Sequence, residues 1–202
     1  TDFINNMTHE FKTPIATINL ALDAIKNPKI IHDSEKVNRY ISMIREENRR
    51  MNTQVENVLR ISKLEKNQLT LTIDDVDIHD VIEEAITHLH LVVDDRQGYI
   101  KTHFSAKKSN IKGDYFHLIN VFMNMLDNAI KYSIESPKID VYTTIEAKYL
   151  VIKIIDQGMG MSKNVQKHIF DKFYREQKGN VHDIKGHGLG LSYVKKMIEM
   201  HQ

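Results

Sequence analysis

VNRYISMIREENRRMNTQVENVLRISKLE, residues 37–65, decides the architecture of the first third of the chain. Val37, Ile41, Ile44, Asn48, Met51, Val55, Val58, Ser62 and Glu65 step alternately by four and three residues. A repeat of about 3.5 residues is the seam of a coiled coil or helical bundle, because it keeps one stripe turned toward a neighbour. As one helix, residues 34–65 run about 48 Å at the usual rise per residue. Asn48 lies on that seam, where a polar side chain either sets register or marks an edge facing water; both readings stand.

Working toward the N-terminus, Ile4, Phe11, Ile15, Ile18, Leu22 and Ile25 recur at helical spacing, which predicts a helix over 2–26. Asn27-Pro28 breaks it, since the residue before proline is pushed out of the α region. Asp33 or Ser34 then caps the long helix. Neither helix can hide its apolar stripe alone. A hairpin of the two, paired with a second copy, makes a four-helix bundle, so residues 1–66 are expected to form a homodimer.

Beyond residue 66 the pattern changes, and the domain boundary belongs there. Leu69, Leu71 and Ile73 alternate as in a strand. Asp77 is placed to cap a helix carrying Val81, Ile82, Ala85, Ile86 and Leu89. Short strands are expected at 100–104 and 109–112, then a turn and cap at Gly113-Asp114 and an apolar helix to about Tyr132. A β-hairpin follows at 138–145 and 149–155, then a short helix at 163–169, a polar loop at 175–187 and a last helix at 188–200. Hairpin strands with helices between them predict a two-layer α+β sandwich over 67–202.

Composition narrows the function. The 202 residues carry 28 Lys plus Arg against 27 Asp plus Glu, so 28 − 27 leaves +1. That balance does not support nonspecific binding to nucleic acid or acidic membranes. Cysteine is absent, which excludes disulfides, thiol catalysis and cysteine-based metal sites. No apolar run approaches the roughly 18 residues of a membrane span. Thr1 opens inside an expected helix, as in a piece of a longer protein.

Four patterns carry chemistry. Asp156-Gln157-Gly158-Met159-Gly160 follows the apolar strand Val151 to Ile155. Its carboxylate can accept from an exocyclic amine, and Gly158 and Gly160 let a planar ligand approach the backbone; a plain β-turn explains the same residues. Gly186-His187-Gly188-Leu189-Gly190-Leu191 opens directly onto a helix, where free amides and the helix dipole favour an anion; a flexible loop is the competing reading. It is not a Walker A loop, since no Gly-Lys-Ser/Thr follows.

On the 114–132 helix, Asn124 and Asn128 share a face at i, i+4, followed by Lys131 and Tyr132. Two asparagines on an apolar helix need partners; Mg²⁺ with phosphates would supply them, as would an amide network. Lastly, His9-Glu10-Phe11-Lys12-Thr13-Pro14 places His9 and Thr13 on one face, with Glu10 adjacent in sequence. A neutral imidazole nitrogen is a nucleophile, and a carboxylate on the other nitrogen raises its basicity. Pro14 should bend the helix just after this cluster.

Together these residues resemble sensor histidine kinases. HEFKTP is similar to their H box, NVFMNMLDNAIKYS to the N box, DQGMGM to the first glycine box, IFDKFYR to the phenylalanine box and GHGLGLSYVK to the second glycine box, in family order. The resemblance implies a dimerisation and phosphotransfer domain, residues 1–66, followed by a catalytic ATP-binding domain of the Bergerat fold, residues 67–202. His9 would be the phosphoacceptor, Glu10 its acid–base partner, and Thr13 would position water for the reverse, phosphatase reaction. Asn124 and Asn128 would hold Mg²⁺ and phosphates, Lys131 the phosphates, and Tyr132 would flank the adenine of ATP. Asp156 would read the adenine amino group. Phe170, Phe173 and Tyr174 would anchor the lid over ATP, and Arg175 would meet the phosphates. Gly186, Gly188, Leu189 and Gly190 would shape the lid's end.

The implied partners are a second copy of the chain and the aspartate of a response regulator's receiver domain. The implied parent is membrane-anchored, with this part facing the cytoplasm and the membrane segments outside this chain. The family departs from this sequence in three ways. Two further strands normally follow the last helix, His187 stands where a small polar residue is usual, and the helix before His9 is short. A nucleotide-binding dimeric scaffold without autokinase activity is the alternative. A Bergerat-fold ATPase doing mechanical work is a third reading, against which the HEFKTP hairpin counts.

Overall fold

A computed structural model describes residues 2–65, 70–172, 174 and 188–201. It divides into two units, Thr1–Leu69 and Thr70–Gln202.

The first unit is two helices, α1 (Asp2–Ile25) and α2 (Ser34–Glu65), packed on each other. α1 is one continuous helical element through Pro14, which is buried. After α1 the chain turns on Asn27. Its carboxamide oxygen accepts from the Lys29 amide at 3.0 Å, and its carbonyl from the Ile30 amide at 2.8 Å. Asp33 then caps α2, accepting from the Lys36 amide at 3.1 Å, with the Lys36 ammonium 2.9 Å from its other oxygen. Asn48 is exposed in the single chain.

The second unit runs β1 (Asp74–Asp77), α3 (Ile78–Asp95), β2 (Tyr99–Phe104), β3 (Asn110–Gly113), α4 (Tyr115–Lys131), β4 (Lys138–Glu146), β5 (Tyr149–Ile155), α5 (Lys163–His168) and α6 (Gly190–Met200). Asp77 caps α3 by accepting from the His79 amide at 2.8 Å. Val81, Ile82 and Ala85 of α3 and Phe122, Leu126 and Ile130 of α4 meet Ile139 and Val141 of β4 in a continuous apolar core. Helices thus form one layer and strands the other.

The pairing of the strands differs from the sequence expectation in two places. The first strand is not at 69–73. Residues 66–69 lie outside the described set, Thr70 to Ile73 form no strand, and β1 follows at Asp74–Asp77. Its partner fixes its position: β1 lies antiparallel to β3, from Asp74 opposite Gly113 to Asp77 opposite Asn110. Ile73, which the alternation would bury, is 51% exposed.

Secondly, the larger sheet has the order β2-β4-β5. Among the described residues only β4 and β5 form a hairpin; β2 and β4 are parallel, joined by a crossover through β3 and α4. That crossover places the length of α4 against the sheet, with its C-terminal end near the start of β4.

Candidate functional site

α4 is capped by Asp114, whose buried carboxylate accepts two backbone hydrogen bonds. One oxygen accepts from the His117 amide at 3.0 Å, capping the helix; the other accepts from the Thr72 amide at 2.8 Å. Its own amide donates to His201 Nε2 at 2.9 Å. Burial alone would raise the Asp114 pKa. The two amide bonds, with His117 and His201 nearby, outweigh it and hold the carboxyl below its ordinary value.

Two turns along α4, Asn124 donates its amide nitrogen to the Asn120 carbonyl at 2.7 Å, and Asn120 donates to the Phe116 carbonyl at 2.7 Å. This amide ladder explains how a helix tolerates asparagines at i, i+4 spacing. The sequence reading took Asn124 and Asn128 as a pair and missed Asn120, although the same spacing extends back to it. With the nitrogen of Asn124 engaged, its oxygen is the atom that faces Gly190: a Cβ added there would lie 2.5 Å from it. The head of α6 thus approaches α4 closely at Gly190, where a side chain would have to displace the Asn124 amide. Leu189, just before it, is buried, and Gly188 has φ +65°.

At its C-terminal end α4 delivers Asn128, Lys131 and Tyr132. The Tyr132 amide donates to the Asn128 carbonyl at 3.0 Å, and the Lys131 ammonium stands 5.4 Å from the Tyr132 ring centroid. The Tyr132 carbonyl accepts from the Met159 amide at 3.1 Å. Asp156, exposed at the end of β5, accepts from the Gly158 amide at 2.8 Å. A Cβ at Gly158 would lie 2.8 Å from both the Asp156 carboxylate and the Tyr132 carbonyl, so only glycine fits. Gly160 has φ +68° and open space around it.

These contacts join the candidate residues into two groups on one helix: Asn124 with Gly190, and Tyr132 with Asp156, Gly158 and Met159. Of the residues expected to anchor a lid, Phe170 lies under the Lys195 ammonium of α6 at 6.0 Å. Tyr174 donates its amide to the Asp171 carbonyl at 3.2 Å. Phe173, Arg175, Gly186 and His187, with the expected loop at 175–187, lie outside the described residues.

In the first unit, His9 and Glu10 are consecutive in α1, and their side chains lie outside the described set. Thr13 is one helical turn beyond His9 and exposed, and its carbonyl accepts from the Thr17 hydroxyl at 3.2 Å. Among the described residues no group of three His, Asp or Glu could hold a metal ion. The side-chain oxygens of Asn124 and Asn128 are the donor type that magnesium prefers, so the α4 face fits Mg²⁺ held jointly with phosphates.

Residues 1–67 match the His Kinase A (phospho-acceptor) domain, and residues 113–202 match the histidine kinase-, DNA gyrase B-, and HSP90-like ATPase domain. Over its whole length the chain is 41% identical to the sensor protein RprX of Bacteroides fragilis, covering 39% of that protein. The chain belongs to the sensor histidine kinases. Over 98% of its length it is 31% identical to the signal transduction histidine-protein kinase ArlS of Staphylococcus aureus, covering 43% of it. The chain thus spans about two-fifths of the curated histidine kinases it matches.

Its fold is that of histidine kinase cores. The histidine kinase ThkA, solved in complex with the response regulator TrrA, superposes over 100% of this chain and 55% of its own, with TM-score 0.73 at 19% identity. The Acinetobacter baumannii histidine kinase AdeS covers 95% of this chain and 86% of its own, with TM-score 0.69 at 22% identity. A helical phosphoacceptor region followed by an α/β ATPase domain is therefore the fold class. No described helix is long and apolar enough to cross a membrane.

Proposed function

We propose that this chain is the autokinase core of its parent protein. Residues 1–66 dimerise and present His9, residues 67–202 bind ATP with Mg²⁺, and the phosphoryl group passes from His9 to an aspartate of a response regulator. The observation that carries this is the pair of glycine contacts on α4. Gly158 against Tyr132 and Gly190 against Asn124 place backbone, rather than side chain, against the middle of α4 and against its C-cap. Such a surface suits a flat base at one end and phosphates at the other.

In the proposed step a neutral imidazole nitrogen of His9 attacks the γ-phosphorus of ATP. An N–P bond forms, the bond from γ-phosphorus to the β,γ-bridging oxygen breaks, and ADP leaves with that electron pair. Glu10 takes the proton from the other ring nitrogen. An aspartate carboxylate of the response regulator then displaces His9 from phosphorus, and Glu10 returns its proton to the other ring nitrogen, which restores the neutral imidazole. Mg²⁺, held by Asn128 and Asn124 with the phosphates, supplies charge neutralisation.

Lys131 faces the phosphates, Tyr132 flanks the adenine, and Asp156 accepts from its amino group beside Gly158 and Gly160. Phe173 and Arg175, with Gly186, Gly188, Leu189 and Gly190, belong to the lid. Thr13 orients water for the reverse reaction. The parent is anchored in a membrane through segments outside this chain, with this core on the cytoplasmic side.

Incubation with γ-labelled ATP tests the reading. Acid-labile label on the chain, lost in His9→Ala with nucleotide affinity retained within about twofold, is the expected result. Bound nucleotide with no label would leave the dimeric scaffold. Asn128→Ala should cost about tenfold or more in Mg²⁺-dependent nucleotide affinity, read by calorimetry with and without the metal. An unchanged affinity would remove that asparagine from the site.

A further inference from the structure

The geometry points to Arg96, at the end of α3, as a positioning residue for the nucleotide wall: its guanidinium fixes the turn that carries Lys131 and Tyr132. This rests on the nucleotide reading of the α4 face given above.

The C-terminal end of a helix leaves carbonyls without intrahelical partners and carries the negative end of the helix dipole. At the end of α4 the Ser133 hydroxyl donates to the Ala129 carbonyl at 2.8 Å, and the carbonyls beyond it are met by Arg96. Arg96 donates through Nη1 to the Ile130 carbonyl, and through Nη2 to the Ser133 carbonyl at 2.8 Å and the Glu135 carbonyl at 2.9 Å. Lys131 and Tyr132 lie between the first two of these carbonyls in sequence. One planar cation therefore ties the backbone on both sides of the two residues assigned to phosphate and base.

Arg96 is itself firmly placed. It is the C-cap of α3, and its amide donates to the Val93 and Asp94 carbonyls. Gln97 follows with φ 54°, and the Gly98 amide returns to the Val93 carbonyl at 2.9 Å. Gly98 lies so close to Pro137 that an added Cβ would stand 2.5 Å from the Pro137 carbonyl, which also accepts from the Tyr99 amide at 2.8 Å. The end of α3 thus holds the 130–137 segment at the Ile130, Ser133 and Glu135 carbonyls through Arg96, and again at Pro137.

The far side of the same turn is where Tyr132 accepts from the Met159 amide. Displacing the turn would move Tyr132, the Met159 amide and the Gly158 approach together. A lysine cannot reproduce the fork, because its charge is a single point with no planar set of donors.

The test uses the full chain with ATP and an ATP analogue. In Arg96→Gln the half-saturating ATP concentration for labelling should rise about tenfold, while the maximal rate stays within about threefold. Hydrogen exchange at the Met159 amide should speed up, and Arg96→Lys should fall between parent and Gln variant. A residue that only stabilised the fold would lower the thermal midpoint and leave the affinity of folded protein unchanged. Parent-like affinity together with parent-like Met159 exchange in folded Arg96→Gln overturns the inference. Should that variant fail to fold, parent-like values of both in Arg96→Lys overturn it. Failure of the parent chain itself to bind adenine nucleotide sinks the nucleotide reading instead, a result separable from either of these.

Discussion

In the helical hairpin, Ile41 and Val55 on the 3.5-residue stripe keep 37% and 43% of their surface exposed; in the second unit Val81, Leu126 and Ile139 keep none. The same residue types, at comparable spacing, are left open in one unit and closed in the other. The second unit contains both layers of its core, helices on one side and strands on the other. The hairpin contains one side of an interface only. That difference is what the proposed homodimer resolves, because a second hairpin would cover the stripe.

The comparison can be attacked from the closed side first. Leu126→Ala should cost about 2–5 kcal/mol of stability in the second unit, measured by denaturant unfolding, because it leaves a cavity in a fully buried site. Self-association should be unchanged, and a loss of pairing would mean that the two units are not independent.

On the open side, Ile41→Asp combined with Val55→Asp should weaken self-association about 100-fold or more in sedimentation, since burying carboxylates without partners is costly. The second unit's unfolding should not move. A double variant that still pairs would show that the stripe is not the seam.

A smaller effect is expected at Asp114. Asp114→Ala should cost about 2 kcal/mol, through the lost cap of α4 and the loss of the part-buried bond from the Thr72 amide. The pH dependence follows from its lowered pKa. A carboxyl whose folded pKa lies below its unfolded value stabilises the fold above the unfolded pKa. That contribution is lost as pH falls through the folded pKa. Thermal midpoints measured below about pH 4 should therefore fall less steeply in Asp114→Asn than in the parent. Parallel acid limbs would remove Asp114 as a source of acid sensitivity.

Much of this was legible along the chain because it is local. Asp77 and Asp114 each stand one residue before a helical pattern, and both are caps in the structure. The β4–β5 hairpin was readable because both its strands and its short turn are contiguous. What was not legible depends on distant partners. Asp74-Asp75-Val76-Asp77 has poor strand character by composition. It is a strand because β3 lies beside it, with Lys112 paired to Asp75 at 2.9 Å. The parallel β2–β4 pairing likewise leaves no trace in either strand alone. In the candidate site, the glycine boxes were visible as motifs. That Gly190 accommodates Asn124, and that Arg96 ties the end of α4, involve residues 66 and 34–39 positions apart, contacts that no local pattern encodes.

One carboxylate described above has a mechanical implication. Thr72 lies near the entrance of the second unit, and its amide is moored to Asp114, the residue that starts the helix bearing Asn124 and Asn128. A displacement of the backbone at that entrance would reach the first turn of α4 through this hydrogen bond, alongside the β1–β3 pairing. Asp114 is thereby the point at which such a displacement would enter the helix that carries Asn120, Asn124 and Asn128.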